Sequence, residues 1–401
     1  MSIIVQKYGG TSVGTIDKIK SVAKLLAKRK DAGFQIAAVV SAMGKTTDKL
    51  VNMAEEVSDN PSKRELDMLL ATGEQITSSL LAMTLKEMGY DSIALTGFQA
   101  GIKTGDKHTK APILDINIKN VKKYLNEGKI VIVAGFQGID ENGDITTLGR
   151  GGSDTTAVAL AAKLNCPCEI YTDVCGIYGA DPRAYPNAKK LDYISYEEML
   201  EMASLGAKVI ETRAVEMGSK YNVPIYIALN NGECIGTYIK EFDESMETKV
   251  ITGLTVNDED LMVTINNVLY NTKDISNIFK RLSEMDINID MISQTAPVHG
   301  YVNISFTAPK NSKSLINKLV EELKITMKGI KVDIQEDITK VSVVGLGMRT
   351  QSGVAAKIFK IFADNDIEFK QVTTSEIRIS YTINTKDREK AIFGIAQAFN
   401  L

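Results

Sequence analysis

The sequence predicts an α/β protein in which a three-layer αβα sandwich with a mostly parallel sheet precedes two ferredoxin-like (βαββαβ) modules. Three observations predict this fold class. Up to about Leu229, short apolar strands alternate with amphipathic helices, the pattern of a parallel sheet covered on both faces. A charged stretch at 239–249 is typical of a linker. Beyond it, the sequence repeats itself at an offset of 80 residues.

The elements of the first part follow from apolar periodicity and from glycine stop signals. A helix over 15–30 ends before Gly33, and one long helix is predicted over 62–88, before Gly89. A Glu-Asn-Gly-Asp turn at 141–144 predicts a hairpin, so part of the sheet is expected to be locally antiparallel. Strands are predicted at 3–6, 35–42, 92–96, 129–136, 168–173 and 224–229.

The repeat defines the two small modules. Ile278-Phe279-Lys280 recurs as Ile358-Phe359-Lys360, and Asp286-Ile287 recurs as Asp366-Ile367. At the same offset, the apolar strand at 261–265 overlays the one at 341–345. Each copy has the order strand, helix, strand, strand, helix, strand, which predicts two ferredoxin-like modules.

Composition excludes several classes of function. A net charge of −3 gives no basic footprint for nucleic acid or an anionic membrane, and only two histidines make a His-based metal site or a Ser-His-Asp triad unfavourable. We expect no metal site built from protein ligands. The segment 66–85 carries charged and polar residues that disfavour a membrane span. The N-terminus lacks the pattern of a secretory signal, so we expect a cytoplasmic protein.

The four cysteines are Cys166, Cys168, Cys175 and Cys234, and they lack the spacing of a zinc site. Cys166-Pro-Cys168 has two interpretations, a redox or metal pair and a pair of reduced thiols beside a buried strand. The second is favoured for a cytosolic protein.

Glycine-rich segments at the ends of strands are the candidates for chemistry. No Walker loop and no dinucleotide fingerprint is present. In the first such segment, KYGGTSVG, Gly9 and Gly10 would let backbone amides approach an anion, with Lys7 adding a charge and Ser12 a hydroxyl. A tight turn with a solvated lysine explains that segment equally well.

The segment LGRGGSDTTAVALAAKL at 148–164 is more specific. Ser153 and Asp154 open a helix and would serve as an N-cap. A cap does not explain why Arg150 is flanked by three glycines, whereas an anion held between the guanidinium and helix N–H groups does.

Two other segments carry polar side chains with two interpretations. Glu74 lies in a largely apolar helix, so it is either buried with a partner or on an exposed face. Asp173, Tyr178, Asp181 and Arg183 lie in a turn-rich stretch after a strand, where Tyr178 would stack on a base and Arg183 would meet phosphates.

Taken together, the motifs resemble those of the aspartate kinase family. The resemblance covers essentially the whole chain in the right order, and it includes two C-terminal copies similar to ACT regulatory modules. It implies the amino-acid-kinase type of αβα sandwich. The motifs are KYGGTSVG, SAMGKTTDKL (41–50), ATGE (71–74), LGRGGSDTTA, YTDVCGIYGADPR, GAKV (206–209) and TSEIRIS (374–380).

The resemblance implies transfer of the γ-phosphoryl group of ATP, with Mg²⁺, to the side-chain carboxylate of L-aspartate. Lys7 would stabilise the transferring phosphoryl group, and Asp154 would hold that lysine. Glu74 would meet the ammonium of aspartate and Arg150 a carboxylate. The implied aspartate-binding residues are Thr47, Glu74, Arg150, Gly151, Gly152 and Ser153. The implied ATP-binding residues are Lys7, Tyr8, Gly9, Gly10, Ser12, Ser41, Thr172, Asp173, Tyr178, Arg183, Lys208 and Val209.

The resemblance also implies a domain order and an assembly. It divides the chain into a catalytic domain at 1–240, a linker and early strand of the second module at 241–258, and ACT modules at 259–337 and 338–401. An end-product amino acid, lysine and/or threonine, would act at these modules, with Gln294 and Met291 as candidate contacts. A monofunctional enzyme that forms a homodimer through the modules is expected, with higher assembly left open.

The chain departs from the family pattern after GAKV, where Ile210-Glu211-Thr212 replaces the usual Leu-His-Pro. Two rival functions remain open at this point. One is a kinase of the same fold that acts on another acid or on a nucleotide. The other is a catalytically silent amino-acid sensor, although that reading leaves Lys7 and Asp154 unexplained.

Overall fold

The computed structural model describes residues 2–230, 234–242 and 249–401. The chain forms two compact units. The first comprises residues 2–177, 190–204 and 208–242, and the second comprises residues 178–189, 205–207 and 249–401. Within the described ranges, no helix is both long enough and apolar enough to cross a membrane.

The first unit contains twelve strands and eight helices among its described residues. Its strands are β1 (Ile3–Tyr8), β2 (Gln35–Val40), β3 (Ser92–Leu95), β4 (Ile102–Thr104), β5 (Ile113–Ile116), β6 (Ile130–Ala134), β7 (Gln137–Ile139), β8 (Ile145–Thr147), β9 (Cys168–Thr172), β10 (Tyr193–Ser195), β11 (Ile225–Leu229) and β12 (Thr237–Lys240). Its helices are α1 (Ile16–Asp31), α2 (Thr46–Val57), α3 (Lys63–Leu70), α4 (Thr72–Glu87), α5 (Lys119–Asn126), α6 (Gly152–Leu164), α7 (Tyr196–Ser204) and α8 (Thr212–Tyr221).

Eight of these strands form the main sheet, in the order β10-β12-β11-β9-β1-β2-β6-β3. All neighbouring pairs are parallel except β11 and β12. One face packs on α1 and α4 through a core that includes Tyr8, Leu26 and Leu81. On the central strand β1, side chains alternate between the two faces, so Lys7 points away from that core. The carboxyl ends of β1, β2, β6 and β9 meet at one edge, where ligands of parallel sheets bind.

The hairpin predicted at 141–144 lies elsewhere than expected. It connects the antiparallel strands β7 and β8, and these belong to a separate four-stranded sheet with the order β5-β4-β7-β8. The expectation of a locally antiparallel region of the main sheet at this turn is therefore wrong. The turn residues specify a hairpin, but they do not specify the sheet that its strands join.

The single helix predicted over 62–88 is also wrong, because it divides at Ala71 into α3 and α4. The carbonyl of Ala71 accepts a hydrogen bond of 2.8 Å from Gln137 Nε2. Gly73 lies so close to Ala42 that a Cβ at position 73 would be 2.8 Å from the Ala42 Cβ. Contacts to distant parts of the chain fix the break, and the local sequence does not reveal it.

The second unit contains eight strands and four helices among its described residues. Its strands are β13 (Gly253–Asn257), β14 (Asp260–Leu269), β15 (Asp290–Gln294), β16 (Tyr301–Pro309), β17 (Lys331–Gln335), β18 (Ile338–Val344), β19 (Phe369–Thr374) and β20 (Arg378–Asn384). Its helices are α9 (Thr272–Glu284), α10 (Lys313–Thr326), α11 (Val354–Asp364) and α12 (Arg388–Phe399).

These elements form two antiparallel sheets, each with two helices. The first has the order β15-β16-β14-β17 and the second the order β13-β18-β20-β19. Strand β13 completes the second sheet by pairing with β18, although it precedes the whole first sheet in the sequence. The repeat at an offset of 80 corresponds to β14 and β18, followed by α9 and α11.

A buried cation joins the two sheets of the second unit. Lys340 on β18 is 4% exposed, and its Nζ lies 2.8 Å from Asp260 Oδ2 and 3.0 Å from Asp290 Oδ2. Burial favours the neutral carboxyl of Asp290, but Lys340 and the backbone N–H of Met291 outweigh it and keep the pKa of Asp290 below its ordinary value. Polar contacts of this kind fix the register of one sheet on the other.

Candidate active site

A cavity of about 240 Å³ opens at the carboxyl edge of the main sheet. It lies between the loops that follow β1, β2 and β8 and the first turns of α4 and α6. Its lining residues are Gly10, Ser41, Ala42, Gly44, Thr47, Glu74, Phe136, Gly149, Arg150, Gly151, Gly152 and Ser153. All six predicted aspartate-binding residues are among them.

An ion pair between β1 and α6 lies beside the cavity. Lys7 Nζ is 2.6 Å from Asp154 Oδ1, and the two side chains are 11% and 12% exposed. Because the pair is shielded from water, the charge of Lys7 is held in one place and its field is weakly screened. Both residues predicted as catalytic are therefore in direct contact.

The first glycine-rich segment follows Lys7 as a close-packed turn. The N–H of Ser12 donates to the Gly9 carbonyl at 2.8 Å, and a Cβ on Gly9 would lie 3.4 Å from Lys7 Nζ. A Cβ on Gly10 would lie 2.9 Å from the carbonyl oxygen of Ala42. The hydroxyl oxygen of Ser12 is buried without a hydrogen-bond partner. The segment is thus a tight turn, as one interpretation expects, and the Ser12 hydroxyl is still available to a ligand.

Glu74 is buried, which rejects the alternative of an exposed helical face. It is 4% exposed, and its Oε1 accepts a hydrogen bond of 3.0 Å from the Ala42 N–H. Its Oε2 is buried without a partner. Burial raises the pKa of Glu74 to about 7, against the opposing effect of the hydrogen bond from Ala42. An unpaired carboxylate oxygen beside a cavity suits a cationic ligand group.

The Arg150 segment lines the opposite part of the cavity wall. Gly149 and Gly151 have φ values of +82° and +64°, which are the left-handed conformations that glycine adopts without strain. Arg150 is exposed, and Ser153 Oγ shares a hydrogen bond of 2.7 Å with Ser41 Oγ. The helix α6 begins at Gly152, and the N–H groups of Gly152 and Asp154 donate to the carbonyls of Gly149 and Gly151 at 3.0 Å each.

A buried carboxylate that the sequence analysis did not single out supports this segment. Asp67 on α3 is fully buried and accepts hydrogen bonds from the Thr109 N–H at 3.0 Å and from Thr147 Oγ1. His108 Nδ1 lies 2.9 Å from the same carboxylate. Thr147 ends β8, three residues before Arg150. The sequence signal that could have identified Asp67 is an acidic residue at a helix position where the pattern calls for an apolar one.

Glu211, the departure from the family pattern, lies against the same loop. A Cβ on Gly151 would be only 2.4 Å from the Glu211 Cβ. Burial and then Asp154 raise the pKa of Glu211, while Arg150 and Arg213 lower it. Arg213 in turn donates to the Leu148 carbonyl at 2.6 Å. The residues after GAKV therefore shape the loop that carries Arg150.

The predicted ATP-binding residues have different surroundings. Tyr8 is fully buried and stacks on Tyr171 at 5.1 Å between ring centroids, so its side chain does not reach a ligand, and its carbonyl accepts a hydrogen bond of 3.1 Å from the Ser41 N–H. Thr172 Oγ1 donates to Asp173 Oδ1 at 3.1 Å at the end of β9.

Lys208 is exposed and Val209 half-buried, both in the first unit. Tyr178 and Arg183 belong to the second unit. There Arg183 is exposed and pairs with Asp181 at 2.8 Å.

The four cysteines form two groups. Cys166 and Cys168 are free thiols, as the favoured interpretation expects. Cys175 and Cys234 are joined by a disulfide across 59 residues of sequence, which the sequence analysis did not predict. Their spacing carries no recognisable pattern, so only the fold brings them together.

The candidate effector residues lie on β15, at the edge of one sheet of the second unit. Gln294 is exposed, whereas Met291 is buried and accepts a hydrogen bond from Gln371 through its carbonyl. A second cavity, of about 190 Å³, was missed by the sequence analysis. Its lining residues are Met348, Gln351, Gly353, Val354, Ala355, Thr374, Ser375, Glu376 and Ile379, of which four belong to or border the TSEIRIS segment.

Sequence and structure comparisons agree with this architecture. The model of the amino acid kinase family matches residues 2–229, and an ACT domain model matches residues 341–399. Aspartokinase 2 of Bacillus subtilis is 46% identical over 402 residues, covering 100% of this chain and 98% of the relative. An aspartokinase of Geobacillus stearothermophilus is 45% identical over 404 residues, with 100% and 98% covered.

Solved structures show the same fold. The aspartate kinase from Synechocystis is 36% identical, with a TM-score of 0.57 over 100% of this chain and 69% of that one. Aspartokinase III of E. coli, solved with aspartate and ADP, has a TM-score of 0.83 at 22% identity, with 99% of each chain covered. The predicted fold class is confirmed, and this chain belongs to the aspartokinase family of amino acid kinases.

Proposed function

We propose that this enzyme transfers the γ-phosphoryl group of ATP to the side-chain carboxylate of L-aspartate, giving 4-phospho-L-aspartate. One observation carries the proposal. The buried, unpartnered Oε2 of Glu74 and the guanidinium of Arg150 line one cavity beside the Lys7–Asp154 pair. An α-amino acid with two carboxylates has one charged group for each of these positions.

The acceptor is held by opposite charges. Glu74 takes the ammonium group, Arg150 takes a carboxylate in a bidentate contact, and Thr47 and Ser153 add hydroxyl donors from the cavity wall. Gly151 carries no side chain at the start of α6, whereas the N–H of Gly152 already donates to the Gly149 carbonyl at 3.0 Å. Removing either charge would leave the other end of the zwitterion bound and the reacting carboxylate misplaced.

Phosphoryl transfer needs charge stabilisation rather than a base. The aspartate side chain, with an ordinary pKa of about 3.9, is already ionised at neutral pH. Lys7 lies where a cation would offset the repulsion between this carboxylate and the γ-phosphate, and Asp154 keeps its ammonium in place. The Ser12 hydroxyl and the N–H of Gly10 bind phosphate oxygens, whereas the N–H of Gly9 already donates to the Tyr171 carbonyl at 3.3 Å.

The nucleotide is bound by the segments after β9 and after α7. Thr172, Asp173, Lys208 and Val209 are its proposed contacts in the first unit, and a role of Tyr178 and Arg183 in binding ATP stays a prediction that rests on the resemblance. Ser41 and the backbone of Tyr8 complete the set. Asp173 would help to hold Mg²⁺ on the triphosphate, and the bound ion would neutralise part of the triphosphate charge. The donors here, Asp173 and phosphate oxygens, are the hard oxygen ligands that this ion prefers.

The ACT modules make the activity responsive to an amino acid. We propose that lysine and/or threonine, end products of the pathway that starts with this reaction and also leads to methionine, inhibit the enzyme. Gln294 is the exposed candidate contact on β15, and the cavity at 374–376 is a second place of suitable size.

We also propose that the cytoplasmic enzyme is a homodimer formed through the modules. Five large apolar residues of the first module are exposed near the edge strand β15 and the turn before β16. They are Leu269, Tyr270, Ile292, Val298 and Tyr301. Sedimentation of the purified chain measures this state directly, and a monomer at micromolar concentration contradicts it.

The decisive experiment traps the acyl phosphate. The purified chain is incubated with Mg²⁺, ATP, L-aspartate and hydroxylamine, and aspartyl hydroxamate is measured with and without lysine, threonine or both. We expect hydroxamate that depends on ATP and L-aspartate and that falls when an effector is added.

L-glutamate and N-acetyl-L-aspartate are matched controls, because the first is one methylene longer and the second lacks the ammonium. Product from another acid, with none from aspartate, would identify the rival kinase. No product from any acid, with lysine or threonine still bound, would identify a silent sensor.

A further inference from the structure

Arg150 lies on a loop that has little rigidity of its own. Gly149 and Gly151, on either side of it, have φ values of +82° and +64°, and Gly152 follows. Glycine has more backbone freedom than any other residue, so a loop of this composition does not fix a side chain by itself. The position of the Arg150 guanidinium therefore depends on the contacts that neighbouring elements make with the loop.

Arg213, in the first turn of α8, holds the chain on the N-terminal side of Arg150. Its Nη1 donates to the Leu148 carbonyl at 2.6 Å, and its Nη2 donates to the Ala111 carbonyl at 3.2 Å. The two segments also bond to each other, since the Ala111 N–H donates to the Thr147 carbonyl at 2.9 Å. One planar guanidinium thus connects the end of β8 to the segment that precedes β5.

Glu211, at the start of the same helix, holds the chain on the C-terminal side of Arg150. A Cβ on Gly151 would lie 2.4 Å from the Glu211 Cβ and 2.5 Å from its Cγ, so the aliphatic part of Glu211 packs directly on the Gly151 backbone. Arg150 and Arg213 both lower the pKa of Glu211, against burial and Asp154, so its carboxylate lies near both guanidinium groups. Arg150 is therefore enclosed between one contact two residues before it and another one residue after it.

The helix that carries both contacts is firmly anchored. The carbonyl of Glu211 accepts hydrogen bonds from the N–H groups of Ala214 at 3.0 Å and Val215 at 3.3 Å, and both of these residues are fully buried. Further along α8, a Cβ on the buried Gly218 would lie 2.7 Å from Ile225 Cδ1, so the helix packs closely on β11. Because α8 is fixed at its start and in its middle, its first turn is a stable support for the loop.

We infer that Glu211 and Arg213 are positioning residues that set the distance between Glu74 and the Arg150 guanidinium, and that they thereby make the enzyme selective for the length of its acceptor. Glu74 belongs to α4 and Arg150 to the loop after β8, so separate elements carry the two charges that line the cavity. Aspartate and glutamate have the same charged groups and differ by one methylene. A guanidinium that is held in one place fits one of these lengths, whereas a movable one accepts both.

The test begins with Arg213→Lys, which keeps the positive charge but lacks the planar fork that binds two carbonyls at once. The inference rests on the proposed function, so hydroxamate formation is measured with L-aspartate and with L-glutamate. We expect KM for aspartate to rise about tenfold with KM for ATP unchanged. The preference for aspartate over glutamate in kcat/KM should fall about tenfold, the lower end of what one methylene is worth. Glu211→Ala should shift both quantities in the same direction, and Glu216→Gln, exposed on α8, should shift neither.

A double-mutant cycle separates positioning from general stabilisation. If Arg213 acts through Arg150, replacing Arg213 has no further effect once residue 150 is alanine. The double variant Arg150→Ala/Arg213→Lys should therefore match the KM for aspartate of Arg150→Ala alone, within about twofold. Increases that add up in the double variant would overturn the inference, and so would an unchanged preference for aspartate over glutamate in Arg213→Lys.

Amide hydrogen exchange of the ligand-free full chain tests the two contacts without any substrate. The N–H groups of Gly152 and Asp154 donate to carbonyls of the loop and report on its opening. In Arg213→Lys these amides should exchange about tenfold faster, while those of α1 keep their rates. Equal exchange in the two proteins would overturn the inference. Faster exchange in this variant, with no product from aspartate in the unmodified chain, would support the contacts and overturn the proposed function instead.

Discussion

The two parts of the proposed active site are built in opposite ways. On the acceptor side, Lys7, Asp154 and Glu74 are buried, and the first two hold each other in a direct ion pair. On the proposed nucleotide side, Asp173 and Lys208 of the first unit are exposed. Apart from the exposed Arg150, the charged residues of the acceptor side are thus buried before any ligand arrives, whereas Asp173 and Lys208 of the nucleotide side are solvated.

The difference follows from what each part must do. A small zwitterion offers few atoms, so its specificity has to come from charges that are already desolvated and oriented. Burying such a charge costs folding free energy. Glu74 shows this cost, because its buried Oε2 has no partner and burial raises its pKa. ATP offers many atoms, and exposed contacts that are individually weak are sufficient when they are numerous.

The largest effect is expected at Lys7. Replacing it with alanine leaves Asp154 buried and unpaired and removes the cation next to the transferring group, so turnover should fall by about 10²–10³-fold. Steady-state kinetics measures this, with Lys24→Ala, an exposed lysine on α1, as the matched control. Turnover near that of the unmodified enzyme, in a variant with an unchanged thermal unfolding midpoint, would remove Lys7 from the mechanism.

Glu74→Gln is expected to raise KM for aspartate by about 10- to 100-fold, because it removes a charged hydrogen-bond acceptor for the ammonium. In the unmodified enzyme, Glu74 is half-protonated near pH 7, so aspartate should bind more tightly at pH 8 than at pH 6. The variant should lose this pH dependence. Glu87→Gln, on the exposed end of α4, serves as the control. A pH profile that survives in Glu74→Gln would assign it to another group.

The same substitution is expected to stabilise the free enzyme at neutral pH. The folded pKa of Glu74 lies above the ordinary value of 4.5, so its contribution to stability is complete below about pH 4.5 and is lost as the pH rises to about 7. Above that window Glu74→Gln should be more stable by up to about 3 kcal/mol, and near pH 4 the two proteins should match. Urea unfolding at both pH values measures the difference.

A smaller effect is expected at Asp67, which touches no proposed ligand. Asp67→Asn weakens the contacts to Thr109 and Thr147 that hold the segment leading to Arg150, so KM for aspartate should rise about tenfold while KM for ATP stays constant. Glu65→Gln, exposed on the same helix, is the control. Equal changes in both KM values would indicate general destabilisation instead of positioning.

The smallest effect is expected on the nucleotide side. Arg183 is exposed and already paired with Asp181, so Arg183→Ala should raise KM for ATP only about two- to threefold. Arg150→Ala, by comparison, should raise KM for aspartate about tenfold or more. If Arg183→Ala proved the more damaging of the two, the contrast between a preset acceptor side and a solvated nucleotide side would be wrong.

The strands and the internal repeat could be predicted because their signals are local. Strand β6 is a continuous apolar run, β1 and β2 each contain one at 3–5 and 36–40, and α9 and α11 share residues at an offset of 80. The break at Ala71 could not be predicted, because it depends on Gln137, far along the chain. The motifs located the site, but spacing alone left Glu74 undecided between burial and exposure. Its unpartnered oxygen depends on how Ala42 packs against α4.

The contacts of Glu211 and the Cys175–Cys234 disulfide likewise could not be predicted from the sequence. A glutamate after GAKV was visible as a departure from the family pattern, but its contact with Gly151 arises only when α8 begins beside the Arg150 loop. Cys175 and Cys234 are brought together by the parallel pairing of β9 and β11. Which cysteines come together depends on which strands are neighbours in the sheet, and a single sequence does not show that.

The position of β13 makes residues 258–339 an insertion between two neighbouring strands of the second sheet. Strands β13 and β18 are antiparallel neighbours with Asn257 opposite Lys340, so the chain leaves the second sheet and re-enters it at almost the same point. A short hairpin turn in place of residues 258–339 would close the second sheet without crossing any other strand. Any replacement would also have to supply partners for the buried Lys340, because Asp260 and Asp290, which pair with it, lie within the exchanged segment.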